Sequence, residues 1–372
     1  MVAGKKKVIA LPIHFDFPEN FSNEPLVKLL RSFKWINPLS VFVILFLVGV
    51  ADDLILGAYL GYWHSTSEVV GVFDVNNIPA LIMSLIVEPG MWAFFVGFPK
   101  ALRDLINTIE AKNIILTEEQ FVQEQVAWLK SPSSSRWLMV AALPLTGLIT
   151  YYAMLIIGEY RPTPWFYLDW HYSFLLLRVV FAAYVTVYSA SWSLLALSTL
   201  SRVFSRAKIK VNAYDGDNAG GLRFIGRFIL MVSRLVLIVV PFLVAETLFA
   251  IRLGRGFIGQ FNLWMEIIVL PVLLTFMIFL PLSACRRAMF AAKDEFLNPL
   301  RDKILAHVAL TYPHGPISQP QLAEITALID FQSKLRKDFP TWPFDISMTQ
   351  QLGVSFLLTL LPIIFNVFIL FT

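Results

Sequence analysis

Cysteine is almost missing from this chain. The single one, Cys285, excludes any disulfide within the chain and any zinc or iron–sulfur site built from several thiolates. Charge is scarce as well. Asp, Glu, Lys and Arg make up 15% of the 372 residues, against about 25% in an average soluble domain. The five histidines, His14, His64, His171, His307 and His314, show no metal-ligand spacing, and no metal is expected. No internal repeat, low-complexity tract or signal peptide is evident, since "VIALPI" after the first lysines is too short for a signal core. No His-Glu-x-x-His, Gly-x-Ser-x-Gly or Ser–Lys constellation stands in a workable setting, so the sequence supports no catalytic residue and implies no cofactor. What is present is apolar: 57% of residues are hydrophobic, with 32 Phe and 10 Trp. A mean hydropathy of +0.67 belongs to a chain whose solvent is largely lipid.

Spanning a bilayer takes about 20 mainly apolar residues. Seven stretches qualify: 39–62, 79–99, 137–157, 173–201, 228–252, 263–284 and 351–372. The expected fold is an all-α polytopic membrane bundle, with cytoplasmic loops at 100–136 and 202–227. Lys and Arg alternate between loops. Residues 1–38, 100–136, 202–227 and 285–350 hold 25 of the 30, and the alternate loops hold only Arg161, Arg252 and Arg255. Basic loops stay inside, which places the N-terminus in the cytoplasm and Thr372 outside. Trp35, Trp137 and Trp342 fall near inner boundaries, and Trp63, Trp165, Trp170 and Trp264 near outer ones, as an aromatic belt requires. Four segments follow: 1–38 with an interfacial helix in "EPLVKLLRSFKW", the membrane domain 39–284, a cytoplasmic helical segment 285–350, and the last span 351–372. Within 285–350, one helix continues out of the sixth span, "QLAEITALIDFQSKLRKDF" forms another, and "PTWPFD" stops it.

Few charges enter the spans. Asp52 and Asp53 interrupt "LFLVGVADDLILGAYLG", Glu88 lies mid-span, Arg178 and Glu246 lie toward the outside, and Glu266 starts the sixth span. Arg234 stands alone toward the inside. A central charge costs about 2.5–3.5 kcal/mol to insert, so these groups must pair or meet water. One reading is that Arg178 pairs with an aspartate and locks helix packing. The other is that the acids, outnumbering the one outer arginine, line a wet vestibule that attracts cations. Asp52 and Asp53 point about 100° apart on a helix, so one is expected to pair and the other to face water. Pro89 and Gly90 beside Glu88 predict a helix break, which frees backbone groups for ions, or a simple proline kink.

The loop "NAYDGDNAGGLRFIGRF" fails as a calcium loop, because Ala219 and Gly226 stand where ligands are required. It reads as a tight turn into a helix start. Gly220, Gly221, Arg223 and Arg227 there make a candidate anion site for a lipid phosphate or nucleotide, the plainer alternative being a turn docked on its neighbours. The pattern Gly254, Gly256, Gly259 matches a dinucleotide fingerprint by chance, lacking any βαβ unit.

The arrangement of seven spans, an inner N-terminus and a large inner layer before a C-terminal span resembles that of insect gustatory and odorant receptor channels. That resemblance implies a tetrameric cation channel with its pore along the last helix, although "QLGVSFLLTLLPIIFNVFILFT" departs from their last-helix signature. The leading expectation is an ion-conducting channel or transporter in the cell membrane, bacterial inner or plasma membrane, acting as a homo-oligomer. The alternatives are a membrane sensor or scaffold that recruits a cytoplasmic partner, and an intramembrane enzyme acting on lipid through Asp52, Asp53 or Glu88. Nothing calls for nucleic acid. The orientation is directly testable. Alkaline phosphatase fused after Thr372 is expected to be active, and the same fusion within 285–350 inactive; the reverse pattern would overturn it.

Overall fold

The computed structural model describes residues 25–33, 35–60, 78–115, 120–121, 124–125, 132–160, 170–207, 209–211, 219–252, 270–311, 319–344, 347–354 and 357. Helices form nearly all of it. They are α1 (Pro25–Ser32), α2 (Pro38–Leu60), α3 (Ile78–Ile82), α4 (Glu88–Ala111), α5 (Pro132–Tyr160), α6 (Trp170–Arg206), α7 (Arg223–Arg252), α8 (Leu270–Thr311) and α9 (Gln319–Asp338). Residues 347–354 are also helical. Among the described residues the extended structure is one isolated antiparallel bridge, Ile115 to Ile209.

Local sequence explains the boundaries. Asn37 caps α2: its Oδ1 accepts from the Ser40 amide at 2.9 Å, and its own amide donates to Ser40 Oγ at 2.8 Å. Pro38 follows at the first helical position, where its missing N–H would have no partner anyway. Between α3 and α4 the helix widens into a π turn, Met83–Val87, in which the Glu88 amide donates to Met83 O. Pro89 accounts for the widening. It has no N–H, and its ring would clash with a carbonyl four residues back. The expected break at Pro89 and Gly90 thus takes the form of a π turn just before them, and the chain stays helical from Ile78 to Ala111. At the far end, α9 stops at Asp338 just before Pro340, as the Pro-rich stretch predicts.

The core gathers around α4 and α6. Thirteen of the 24 residues of α4 are buried. Phe98 meets Trp192 of α6 at 6.1 Å and Phe228 of α7 at 5.9 Å between ring centroids, and Phe95 meets Tyr188 at 5.7 Å. These offset and edge-on pairs add about 0.5–1.5 kcal/mol each beyond area burial. Helix α6 also packs on α5 and α8, and α2 lies along α4. Cys285 is fully buried at this junction. By contrast α2, apolar apart from Ser40, Asp52 and Asp53, leaves Leu39, Leu47, Leu54 and Ile55 exposed. Helix α8, with 42 residues, is about 63 Å long at 1.5 Å per residue. Its second half carries α9, where Lys293 Nζ donates to Arg336 O at 2.6 Å.

Among the described residues, three helical segments are long and apolar enough to cross a membrane: Pro38–Ile55, Met83–Ala111 and Leu176–Arg206. Trp137–Tyr151 is a shorter apolar helix. The expectation was seven. Helices α5, α7 and α8 do stand over 137–157, 228–252 and most of 263–284. Many side chains there, and most of 351–372, lie outside the described residues. The second span also runs twelve residues past its expected end, to Ala111, so the loop 100–136 begins as helix.

Close packing of α4 on α7 yields a prediction. A Cβ at Gly90 would sit 2.8 Å from Ile238 Cγ2. Gly90→Val is expected to lower thermal stability by about 1–3 kcal/mol through overpacking, and adding Ile238→Ala to restore part of it. Unchanged melting of Gly90→Val in detergent would refute this contact.

A candidate charge centre at Arg178

The charged site is assembled by three helices that approach closely. At Gly49 of α2 a Cβ would lie 2.9 Å from Ser84 O of the π turn. The missing side chain therefore lets α2 press its backbone against that turn. One turn further along α2, Asp52 and Asp53 arrive beside Ser84 and Glu88. Arg178 reaches them from α6.

The guanidinium serves two carboxylates at once. Nη1 donates to Asp52 Oδ2 at 2.6 Å. Nη2 donates to Glu88 Oε2 at 2.6 Å, and Nε donates to the same oxygen at 3.2 Å. The fixed fork of arginine makes this division geometrically natural, and charge-assisted bonds of this length are the strong ones. All three side chains are largely withdrawn from solvent, with exposures of 13% for Arg178, 17% for Asp52 and 11% for Glu88. Asp53 points elsewhere, as the helical step of about 100° requires. Its Oδ2 accepts from Ser84 Oγ at 3.2 Å.

The geometry bears on the first of the two readings of the sequence, the pairing of Arg178. Arg178 does pair, and not with an aspartate alone: Asp52 and Glu88 share it. Asp53 remains as a carboxylate held by a hydroxyl. Counting formal charges, three acids face one arginine, which leaves the cluster at −2 when all are ionised. A cluster of this kind can hold helices in register, and its surplus of negative charge favours cations over anions.

Of the other expected site residues, Glu266 lies outside the described residues, as does the side chain of Glu246 on α7. Pro89 and Gly90 are buried beside Glu88. Arg234 is exposed and belongs to no cluster here. The loop before α7 turns out to be closely packed. Gly220 and Gly221 adopt φ of 66° and 83°, a region open to glycine and strained for other residues. Both are buried, and a Cβ on Gly220 would meet Val211 at 2.5 Å and Pro340 at 3.1 Å. Lys112 Nζ donates to Gly221 O at 3.4 Å. Gly220 thus docks the turn, while Arg223 is half-buried and Arg227 exposed.

Ser84 and Gly49 were not marked as site residues by the sequence. A signal for Ser84 existed: it is the one hydroxyl in "LIMSLIVEPG", a turn before Glu88. The chain matches no protein-family model, and no curated protein or solved structure is significantly similar to it. The topological likeness to the insect receptor channels gains nothing from these comparisons.

Breaking a buried ion pair by removing one partner costs about 3–5 kcal/mol. Arg178→Leu is therefore expected to destabilise the protein by that much in detergent. Replacing Arg178, Asp52 and Glu88 together by leucine is expected to recover most of the loss. Arg178→Leu melting at the unmodified temperature would contradict the pairing.

Proposed function

We propose that this chain is a multi-pass membrane protein that moves cations, as a channel or transporter, in a cell membrane. In this reading the seven predicted spans cross with the N-terminus inside, and the active form is a homo-oligomer. The observation that carries the proposal is the Arg178 cluster. Three carboxylates and one guanidinium meet among the helices most suited to crossing a membrane. Ionised groups there are rare, and they mark ion and proton paths more often than lipid-facing surface. Asp53 is the residue assigned to the cation, because Arg178 neutralises Asp52 and Glu88 more directly.

A second observation supports a route. Ser189 and Ser193 of α6 are buried, and neither hydroxyl has a hydrogen-bond partner among the described residues. They lie about 20° and 60° around the helix from Arg178. The buried face that carries Arg178 first presents Ala182 and Val185, and then these two hydroxyls, about 16 and 22 Å along α6 from Arg178. Ser and Thr hydroxyls suit a partly dehydrated cation or a chain of waters. The alternative of a sensor or scaffold draws on α8, whose 42 residues exceed the length needed to cross a bilayer, and on α9 packed against it.

Purified protein in liposomes tests the proposal. A monovalent cation or proton gradient is expected to dissipate faster than in empty liposomes. Asp53→Asn is expected to slow the flux about tenfold or more, while Arg301→Gln on the distal part of α8 leaves it intact. Folded protein that carries no cation under any gradient would overturn the reading. A flux that ignores Asp53→Asn would remove Asp53 from it.

A further inference from the structure

Helix α8 carries a continuous exposed stripe. Val272, Thr275, Phe279, Arg286 and Phe290 recur at spacings that keep one face of the helix, and all five are exposed. The stripe changes character along its length. Its start is apolar, with Val272 at 49% and Phe279 at 54% exposure. Two turns beyond Phe279, about 10 Å along the axis, stands Arg286 with its neighbour Arg287, also exposed.

Arg286 is held in an unusual way. Its guanidinium carbon lies 4.6 Å from the centroid of the Trp342 ring and 5.3 Å from that of Phe290. Trp342 comes from the turn after α9, so two separate parts of the chain meet at this cation. Both rings are themselves part-exposed, at 37% and 39%. Neither arginine has a carboxylate partner among the described residues. The first acid after them on α8 is Asp294, about 12 Å further along from Arg286. Contact with two aromatic rings holds the guanidinium in place without consuming its N–H donors.

We propose that Arg286, Arg287 and Trp342 form a binding site for the phosphate headgroup of an anionic phospholipid. The lipid's acyl chain lies along Phe279 and Val272. The geometry favours lipid over a soluble anion, because the apolar half of the stripe leads directly into the basic half at roughly the depth of one leaflet. Tryptophan and arginine are the residues that sit at such a boundary, the ring at headgroup level and the cation toward phosphate. Arginine grips phosphate through its fork, and lysine at the same position does so only as a point charge. The site does not depend on cation movement, only on the membrane setting.

Native mass spectrometry of the full chain, released from micelles doped with phosphatidylglycerol or phosphatidylcholine, tests this. The protein is expected to retain phosphatidylglycerol and shed phosphatidylcholine. The double substitution Arg286→Gln with Arg287→Gln is expected to weaken retention about tenfold, and Trp342→Ala, which keeps both charges, by a smaller factor. Arg301→Gln, about 22 Å further along α8, is expected to change nothing. Folding of each variant is checked by protection of Cys285 from maleimide, since that thiol is fully buried. Equal retention of both lipids, or retention unaffected in the folded double variant and in Trp342→Ala, would overturn the site. Competition by soluble glycerol phosphate at the affinity of the lipid would overturn the acyl-chain half of the proposal.

Discussion

Everything charged in the heart of this protein depends on where Arg178 goes. A guanidinium cannot be deprotonated at any accessible pH, so an arginine among apolar helices must find acceptors. Here it finds two, on different helices, and so ties α2 and α4 to α6 at one point. The tie explains otherwise unrelated features. Gly49 must be small for α2 to come close, and Glu88 must follow the π turn to face the arginine. Asp53 is then left over, and it takes the Ser84 hydroxyl. Buried ion pairs are poor sources of net stability, because desolvation offsets attraction. This one is better explained by the register it sets between the helices than by stability.

Below the tie, aromatic packing takes over. Phe95, Phe98, Tyr188, Trp192 and Phe228 fill the space between α4, α6 and α7. Bulky rings suit helices that cross at some distance, whereas glycines serve the points of contact. The two means of packing are separated along the helices, with charge and glycine at one end and rings toward the middle. The long α8 and the shorter α9 then extend the fold beyond the core, joined by Phe296 against Phe339 at 6.1 Å and by the Lys293 bond to an α9 carbonyl.

Much of this was legible in the sequence, for physical reasons. Runs of apolar residues predict helices because lipid and dry interiors both demand internally satisfied backbones. The helical ranges of α2, α6 and α9 accordingly follow the hydrophobic and amphipathic stretches within a few residues. The turn at Pro340–Phe344 was marked by its prolines. The scarcity of charge made Arg178, Asp52 and Glu88 stand out one by one. Their partnership was not readable, since Arg178 is separated from Glu88 by 90 positions and from Asp52 by 126. Only packing brings them together. The π turn was not readable either, because proline announces an irregularity without saying whether the helix opens, kinks or widens. The loop at Gly220 shows the converse. Its glycines resembled a ligand cradle, and in the fold Gly220 admits Val211 and Pro340.

The proposed cation path and the proposed lipid site lie at different places and use different chemistry, yet both rest on the same proposal, that the chain sits in a membrane. The account stands or falls on the charge centre persisting in a bilayer. The most direct measurement is magic-angle-spinning NMR of the protein in lipid. It would read the dipolar coupling between the Arg178 guanidinium nitrogens and the carboxyl carbons of Asp52 and Glu88. Coupling to both carboxylates, at the short range that 2.6 Å contacts imply, is the predicted result. An Arg178 side chain coupled to neither acid, and exchanging its protons freely with water, would contradict the account.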